Sequence, residues 1–576
     1  MMMPHVRLLC VLSLVCLTAC QMRKAPKPPQ ANSIADADAE LGADLEGGLS
    51  AGDYAALVCD KPETFRGLRA WRRLSNSELI NTIQDIFGST EGVDFSTLIN
   101  DIPKKEAFDT IAIKTNYVYG DRFKAYMSMA SSLSSSVNIT QPQLFPCLAE
   151  GRACVEKRLP EVGGLAWRRP LEAEEINELL ALYDSFVADG TSAEDSTRLL
   201  LQALVLSHHF LYRSELGDKQ GDGSYLLNNW ELASALSYIL LRRPPDSTLR
   251  QLAQQGELQK PEVIRSQAER LLADARAREA WGDFASMWLD ANRVQTVTKA
   301  QPEFNADLKN KLAAEVKEFF VNTMFDAEVK TYGQLINSSY TIVDPSAAWI
   351  YDSTAMNGRQ LTFAQEQRRG VLGQAGFLAS HALPDQPNPI TRGVFVAERL
   401  LCVGFAPAPP VPIPEPKPGI TNKERFRVHT QGSCASCHAT IDAIGFALEN
   451  FDALGKFRTE DAGQPIVVDS LLPIDGKELM ITTPQGLSET IAQSRQGLQC
   501  FVRQNFRYGL GRLEYAPRVM IGVAPQDKQT VQSELDRCQI EAIANRMQEN
   551  NGDMKTAILE LVTSPAFRTR LIGALE

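Results

Sequence analysis

GSCASCHATIDAIGFALENFDALGKFRT, Gly432 to Thr459, is the stretch on which the rest of the chain turns. Cys434-Ala-Ser-Cys437-His438 admits four readings: a haem attachment site, a redox dithiol, half of a zinc site, or two cysteines spaced by chance. A structural zinc site needs four ligands. Cys437 and His438 are adjacent and poorly disposed to bind one ion together, and the chain has no second CxxC or HxxxH pair. A thioredoxin-like dithiol wants a βαβ setting, whereas the sequence around Cys434 reads as helix. On a helix, positions i and i+3 share a face, so both sulfurs can reach the two vinyl groups of one haem. His438 then comes under the iron as axial ligand. The motif therefore predicts one covalent haem c on Cys434, Cys437 and His438.

The N-terminus supplies the compartment that this chemistry needs. A charged start, MMMPHVR, is followed by the apolar run LLCVLSLVCL and then Leu17-Thr18-Ala19-Cys20. So short a run cannot span a bilayer as a permanent helix, and it reads as an export signal. Leu-Thr-Ala-Cys resembles the bacterial lipobox, which implies cleavage after residue 19 and lipid on the Cys20 sulfur. No Asp follows Cys20 closely, which by lipobox rules directs the protein to the outer membrane, on its periplasmic face. The next stretch, KAPKPPQANSIADADAELGADLEGGLSAGD, holds almost no large apolar groups and reads as a disordered tether over 20–60.

The remainder is too long for one core. It divides into helical modules at 61–145 and 146–222, a central helical domain at 223–355, a segment at 356–420 ending in the Pro-rich APAPPVPIPEPKPG, the haem domain at 421–475, and a C-terminal helical module at 476–576. The fold class expected is mainly α: a multi-module helical body with a small cytochrome-like haem domain. Trp71-Arg72-Arg73 recurs as Trp167-Arg168-Arg169, with Glu78/Glu174, Ile80/Ile176 and Asn81/Asn177 in register, so one helical unit is used twice. Its arginines read as docking salt bridges rather than an anion site. Asn228 or Asn229 is an apt N-cap, Pro244-Pro245-Asp246 restarts the chain, and Thr421 to Glu424 is a capping box whose helix is expected to lead into Cys434. His208-His209 reads as a structural pair in mid-helix. A net charge of −11 without basic runs excludes nucleic acid as the partner and leaves the N-terminal lipid as the sole membrane contact.

Of 11 cysteines, two leave with the signal, Cys20 takes lipid and two form the motif, which leaves an even remainder suited to an oxidising compartment. Spacing pairs Cys147 with Cys154 and Cys500 with Cys538 on consecutive C-terminal helices. Elimination then joins Cys59 to Cys402.

The segment ERFRVHTQGSCASCHATIDAIGFALENFDALGKFR resembles the haem segment of a planctomycete-type cytochrome c-like family of unknown function. The resemblance runs through His429, Cys434, Cys437, His438, Asp442, Gly445, Phe446, Leu448, Glu449, Phe451, Asp452, Gly455 and Arg458, and departs at Ala443, where that family usually has Pro. RRGVLGQAGFLASHALPDQPNPITRGVFVAERLLC, two upstream stretches beginning WRRLSNSEL and AWRRPLEAE, and CFVRQNFRYGLGRLE resemble other segments of the same family. What the resemblance implies is haem and export, not a substrate.

Three residues compete to be the second axial ligand: His381, His429 and Met480. His429 precedes Cys434 closely and is expected on the same helix, better placed for a propionate or the backbone. Met480 sits at a distance like that of the methionine loop in small cytochromes, and His381, in a proline-stiffened loop, is preferred. A filled sixth position favours electron transfer and an open one ligand chemistry. The function expected is that of a lipid-anchored periplasmic monohaem cytochrome working with a periplasmic redox partner protein. A haem-dependent oxidoreductase or oxidoreductase subunit, whose helical body binds substrate or partner, and an envelope scaffold with structural haem are the alternatives.

Overall fold

The computed structural model describes residues 72–570 apart from 102–107, 112–117, 222, 354, 365–366, 406–414, 428–434, 515–519 and 522–530. The architecture is mainly α. Helix α1 (Asn76–Phe87) starts at Ser75, whose hydroxyl accepts from the amide of Glu78 while the Glu78 carboxylate accepts from the amide of Ser75. This reciprocal cap satisfies two orphan donors of the first turn. Helices α2 (Gly120–Ser136), α3 (Arg152–Trp167), α4 (Ala173–Ala188) and α5 (Ala193–Leu206) complete an N-terminal bundle around Leu79, Ile83, Met129, Leu133, Leu159 and Leu200.

The repeated unit is present, but its structural register is shifted by one residue. Helix α4 is capped by Glu172 with Glu175 as the reciprocal partner, where α1 uses Ser75 and Glu78. The arginines also differ in setting: Arg72 and Arg73 pair as a short strand with Arg213 and Tyr212, whereas Arg168 closes α3 in left-handed backbone at φ 61°. Both serve docking. Arg73 pairs with Asp101, and Arg168 donates to the carbonyls of His209, Phe210 and Tyr212. His208 and His209 are not in mid-helix, because Ser207 ends α5 and its hydroxyl caps a new turn at His208–Leu211. A short hydroxyl side chain competes with the helix for nearby amides in this way.

Helices α6 (Asn229–Leu241), α7 (Ser247–Gln254), α8 (Pro261–Leu272), α9 (Ala275–Trp288) and α10 (Ala306–Val321) form the middle of the chain. Asn228 caps α6 with Glu231, and Asp246 caps α7 just after the Pro pair. Among the helices that follow are α11 (Ala375–Ser380), α12 (Pro389–Leu400), α13 (Asn422–Phe426), α14 (Ala435–Ala447), α15 (Pro484–Gln493), α16 (Arg495–Leu510), α17 (Val531–Glu549) and α18 (Met554–Thr563). Sheets among the described residues have two or three strands. One large core takes Trp281 and Trp288 from α9, Phe320 from α10, Phe395 from α12, Ile444 from α14, Phe501 from α16 and Ile543 from α17. The segment carrying Cys437 and His438 is thus seated on the same apolar mass as the central and C-terminal helices. Among the described residues no helix is long and apolar enough to cross a membrane.

The disulfides correct the pairing expected from spacing. Cys147–Cys154 forms, but Cys500 bonds Cys402, with a Cα–Cα distance of 5.3 Å in each bridge. Helices α16 and α17 do pack antiparallel, since Arg495 meets Asn545 and Gln548 while Arg512 pairs with Asp536. That register puts Cys500 opposite the C-terminal half of α17 and Cys538 opposite the end of α16, too far apart to bond. The end of α12 lies against α16 instead, with Gln504 donating to the carbonyl of Arg399 and Gln496 to that of Leu401. Cys538 is also disulfide-bonded. Cys59 lies outside the described residues, so its expected bond to Cys402 fails because Cys402 is taken.

Candidate functional site

Helix α14 begins at Ala435, which puts Cys437 and His438 in its first turn. Cys434, His429 and Cys20 lie outside the described residues. The helix opened by the Thr421–Glu424 capping box closes at Phe426. Cys437 is half-buried and carries a thiol, not a disulfide.

His438 and Asp442 stand one turn apart on one face of α14, with Nδ1 2.8 Å from Oδ1 and their side chains 15% and 12% exposed. A carboxylate in that position accepts a hydrogen bond from Nδ1–H, fixes the tautomer and leaves Nε2 with its lone pair for a metal. The other carboxylate oxygen, Asp442 Oδ2, is buried and has no hydrogen-bond partner among the described residues. Among the described residues no group of three or more His, Cys, Asp or Glu side chains could hold a metal ion.

Helix α14 is held from three directions. Helix α12 crosses it antiparallel at two glycines: a Cβ on Gly393 would collide with the carbonyl of Ile441, and one on Gly445 with that of Pro389. Beyond its C-terminus the buried guanidinium of Arg392 donates to the carbonyls of Leu448 (2.9 Å), Phe451 (2.8 Å), Leu378 (3.1 Å) and Asp452 (2.8 Å). Burial pulls the Arg392 pKa down to about 10. Third, the hairpin Ser470–Ile474/Lys477–Ile481 packs along it, with Leu472 and Ile474 turned inward. The motif residues after the helix brace the turn that follows: Glu449 pairs with Arg458 and accepts from Asn422 Nδ2 at 3.0 Å, and burial pushes its carboxyl up to about 7.

The two ligand candidates occupy different settings. His381 ends α11, is 4% exposed, and lies with its ring 5.2 Å from that of Phe377 and 4.3 Å from that of Phe395. Its Nδ1 is 3.0 Å from the carbonyl of Phe377, so it too keeps Nε2 unprotonated. Burial drives its pKa down to about 3, which leaves the ring neutral. The loop after it is tied by Lys299, whose Nζ donates to the carbonyls of Ala382 and Leu383, both at 2.9 Å, and by Thr391, which donates to the carbonyl of His381 at 3.0 Å. Met480 faces Leu471 across the hairpin and is 57% exposed. Its side chain is turned to solvent.

His208 and His209 form a tilted pair in contact, with ring centroids 3.8 Å apart, against Trp167 and the Arg169–Glu175 ion pair. Burial lowers the His209 pKa to about 3, which fits a structural role. Sequence reasoning took Asp442 only as one position of a motif. The i, i+4 spacing from His438 is the signal that points to their contact. Arg392 and Lys299 carried no comparable signal, because their acceptors are carbonyls distant in sequence.

Four family models match the chain in succession. The models PSD3, described as protein of unknown function (DUF1587), PSD5 (DUF1595), PSD4 (DUF1592) and PSCyt3 (DUF1588) match residues 72–138, 154–215, 227–352 and 368–461. The chain is therefore similar over these stretches to domains of the planctomycete-type cytochrome c-like family, whose functions are not assigned. The fourth match takes in His381, Arg392, Cys437, His438, Asp442, Glu449 and Arg458. No curated protein and no solved structure matches the chain.

Proposed function

We propose that this chain is a lipid-anchored periplasmic cytochrome-like protein that carries one covalent haem c and passes electrons to or from a periplasmic redox partner. The observation that carries the reading is the first turn of α14, where the Cys437 thiol adjoins a histidine whose Nδ1 is committed to Asp442. Those donors fit the group: Cys434 and Cys437 would hold it by thioethers and His438 would ligate its iron through Nε2. Bound haem supplies a one-electron redox centre. The chain's part is to keep His438 in one tautomer and one orientation, and to seat α14 rigidly between α12, the Arg392 cap and the hairpin.

For the second axial ligand His381 is better supported than Met480. It is buried and neutral, and its Nδ1 already holds a hydrogen bond to the Phe377 carbonyl, whereas Met480 faces solvent. Cys20 is the proposed lipid attachment point, which places the protein on the periplasmic face of the outer membrane.

The test is expression with export and haem-maturation machinery, followed by acid–acetone extraction. Haem retained by the wild-type protein, and a thioether signature altered in Cys437→Ala, would support the assignment. Colourless protein, or a normal two-thioether spectrum in Cys437→Ala, would overturn it.

A further inference from the structure

We propose that Asp442 is a positioning residue that sets the redox potential of this site by keeping a carboxylate charge on the ring of His438. The proposal rests on the haem assignment above and goes beyond it. Two observations carry it. The first is the 2.8 Å contact from Oδ1 to Nδ1 within a single helix, which fixes both the tautomer and the plane of the ring. The second is that Oδ2 is buried with no hydrogen-bond partner among the described residues. A buried acceptor left unsatisfied costs free energy that a hydrophobic residue at the same position would not. The immediate neighbours of Asp442 on α14 include the buried apolar groups Ile441, Ala443 and Ile444, with Thr440 a buried polar one. A carboxylate kept there against that cost has a use, and among the described residues its hydrogen bond goes to the ring beside Cys437.

The sign of the effect follows from charge. A carboxylate hydrogen-bonded to Nδ1–H pushes electron density through the ring and makes Nε2 a stronger donor. The oxidised iron carries one more positive charge than the reduced iron, so a stronger donor beside a fixed negative charge favours the oxidised form and lowers the potential. Asn can still accept the Nδ1 proton through its carbonyl oxygen, but it brings no charge. Ala removes both the charge and the orientation.

The experiment is a redox titration of the haem-loaded full chain and its Asp442→Asn and Asp442→Ala variants, with thermal melts as the check on folding. Asp442→Asn is expected to keep the wild-type absorption bands and melting temperature. Its equilibrium with a redox mediator is expected to shift at least tenfold toward the reduced form, which for one electron is about 59 mV upward. Asp442→Ala is expected to shift the same way and to broaden the bands, because the ring is no longer held, and Asp442→Glu should recover part of the wild-type potential. A shift below tenfold in a well-folded Asp442→Asn protein would overturn the proposal while leaving the haem assignment intact. Absence of covalent haem from the wild-type protein would instead sink the assignment itself. Nitrogen NMR of His438 is the second readout, with the proton expected on Nδ1, and a proton on Nε2 counting against the proposal.

Discussion

Gly393 lies so close to Ile441 that a Cβ at position 393 would run into the Ile441 carbonyl. The reciprocal contact, Gly445 with the carbonyl of Pro389, sits one turn away on the same crossing. Two helices approach backbone to backbone only where side chains are absent, and this crossing positions the turn that holds Cys437 and His438.

The first prediction concerns that crossing. Gly393→Ala and Gly445→Ala should each destabilise the protein by about 1–3 kcal/mol, since the added methyl must push α12 and α14 apart. Urea melts monitored by circular dichroism would measure it, and the haem-loaded variants should show broadened bands. Unchanged melts in both would mean the helices sit further apart than described.

Cys402–Cys500 closes a long loop, with a sequence separation of 98. Its loss should cost about 4.7 kcal/mol if loop entropy of the unfolded chain dominates. Cys402→Ser with Cys500→Ser is the comparison to melt. Non-reducing peptide mapping should recover 402 with 500 and 147 with 154, and a 500–538 peptide would contradict the structure.

A pH dependence follows from Glu315. Its side chain is fully buried, accepting from Tyr351 at 2.5 Å and Thr341 at 2.8 Å, and burial raises its pKa to about 7. The folded-state value lies above that of the unfolded chain, so the folded form binds the proton more tightly. That contribution is full below about pH 4.5 and is lost as pH rises through about 7, a change of roughly 3 kcal/mol at 1.36 kcal/mol per unit. Glu315→Gln should therefore flatten the fall in stability over that window. A variant with the wild-type pH profile would place the titration elsewhere.

The last prediction addresses the iron. His381→Ala should leave haem attached, open the sixth position to carbon monoxide and convert a low-spin spectrum to high-spin, while Met480→Ala changes little. The opposite pattern would assign the ligand to methionine. A wild-type protein already high-spin would favour the oxidoreductase reading.

Much was legible because it is local. The capping box at Thr421, the N-cap at Asn228, the restart at Asp246 and the Cys147–Cys154 bridge all depend on residues a few positions apart, where chain geometry leaves few choices. The mainly α class belongs here too, since helical period is a property of the chain itself.

What the sequence could not determine is whatever depends on which helices meet and in what register. Cys402 found Cys500 because the end of α12 lies against α16, a fact that no cysteine spacing encodes. The burial of His381 between Phe377 and Phe395, the exposure of Met480, and the gathering of four carbonyls around Arg392 arise the same way. Each is settled by the packing of apolar faces brought together from distant parts of the chain. The hydrophobic effect that drives this packing is non-directional, so it names which residues are buried but not beside whom. The partner was decided by shape, at contacts such as Gly393 on Ile441.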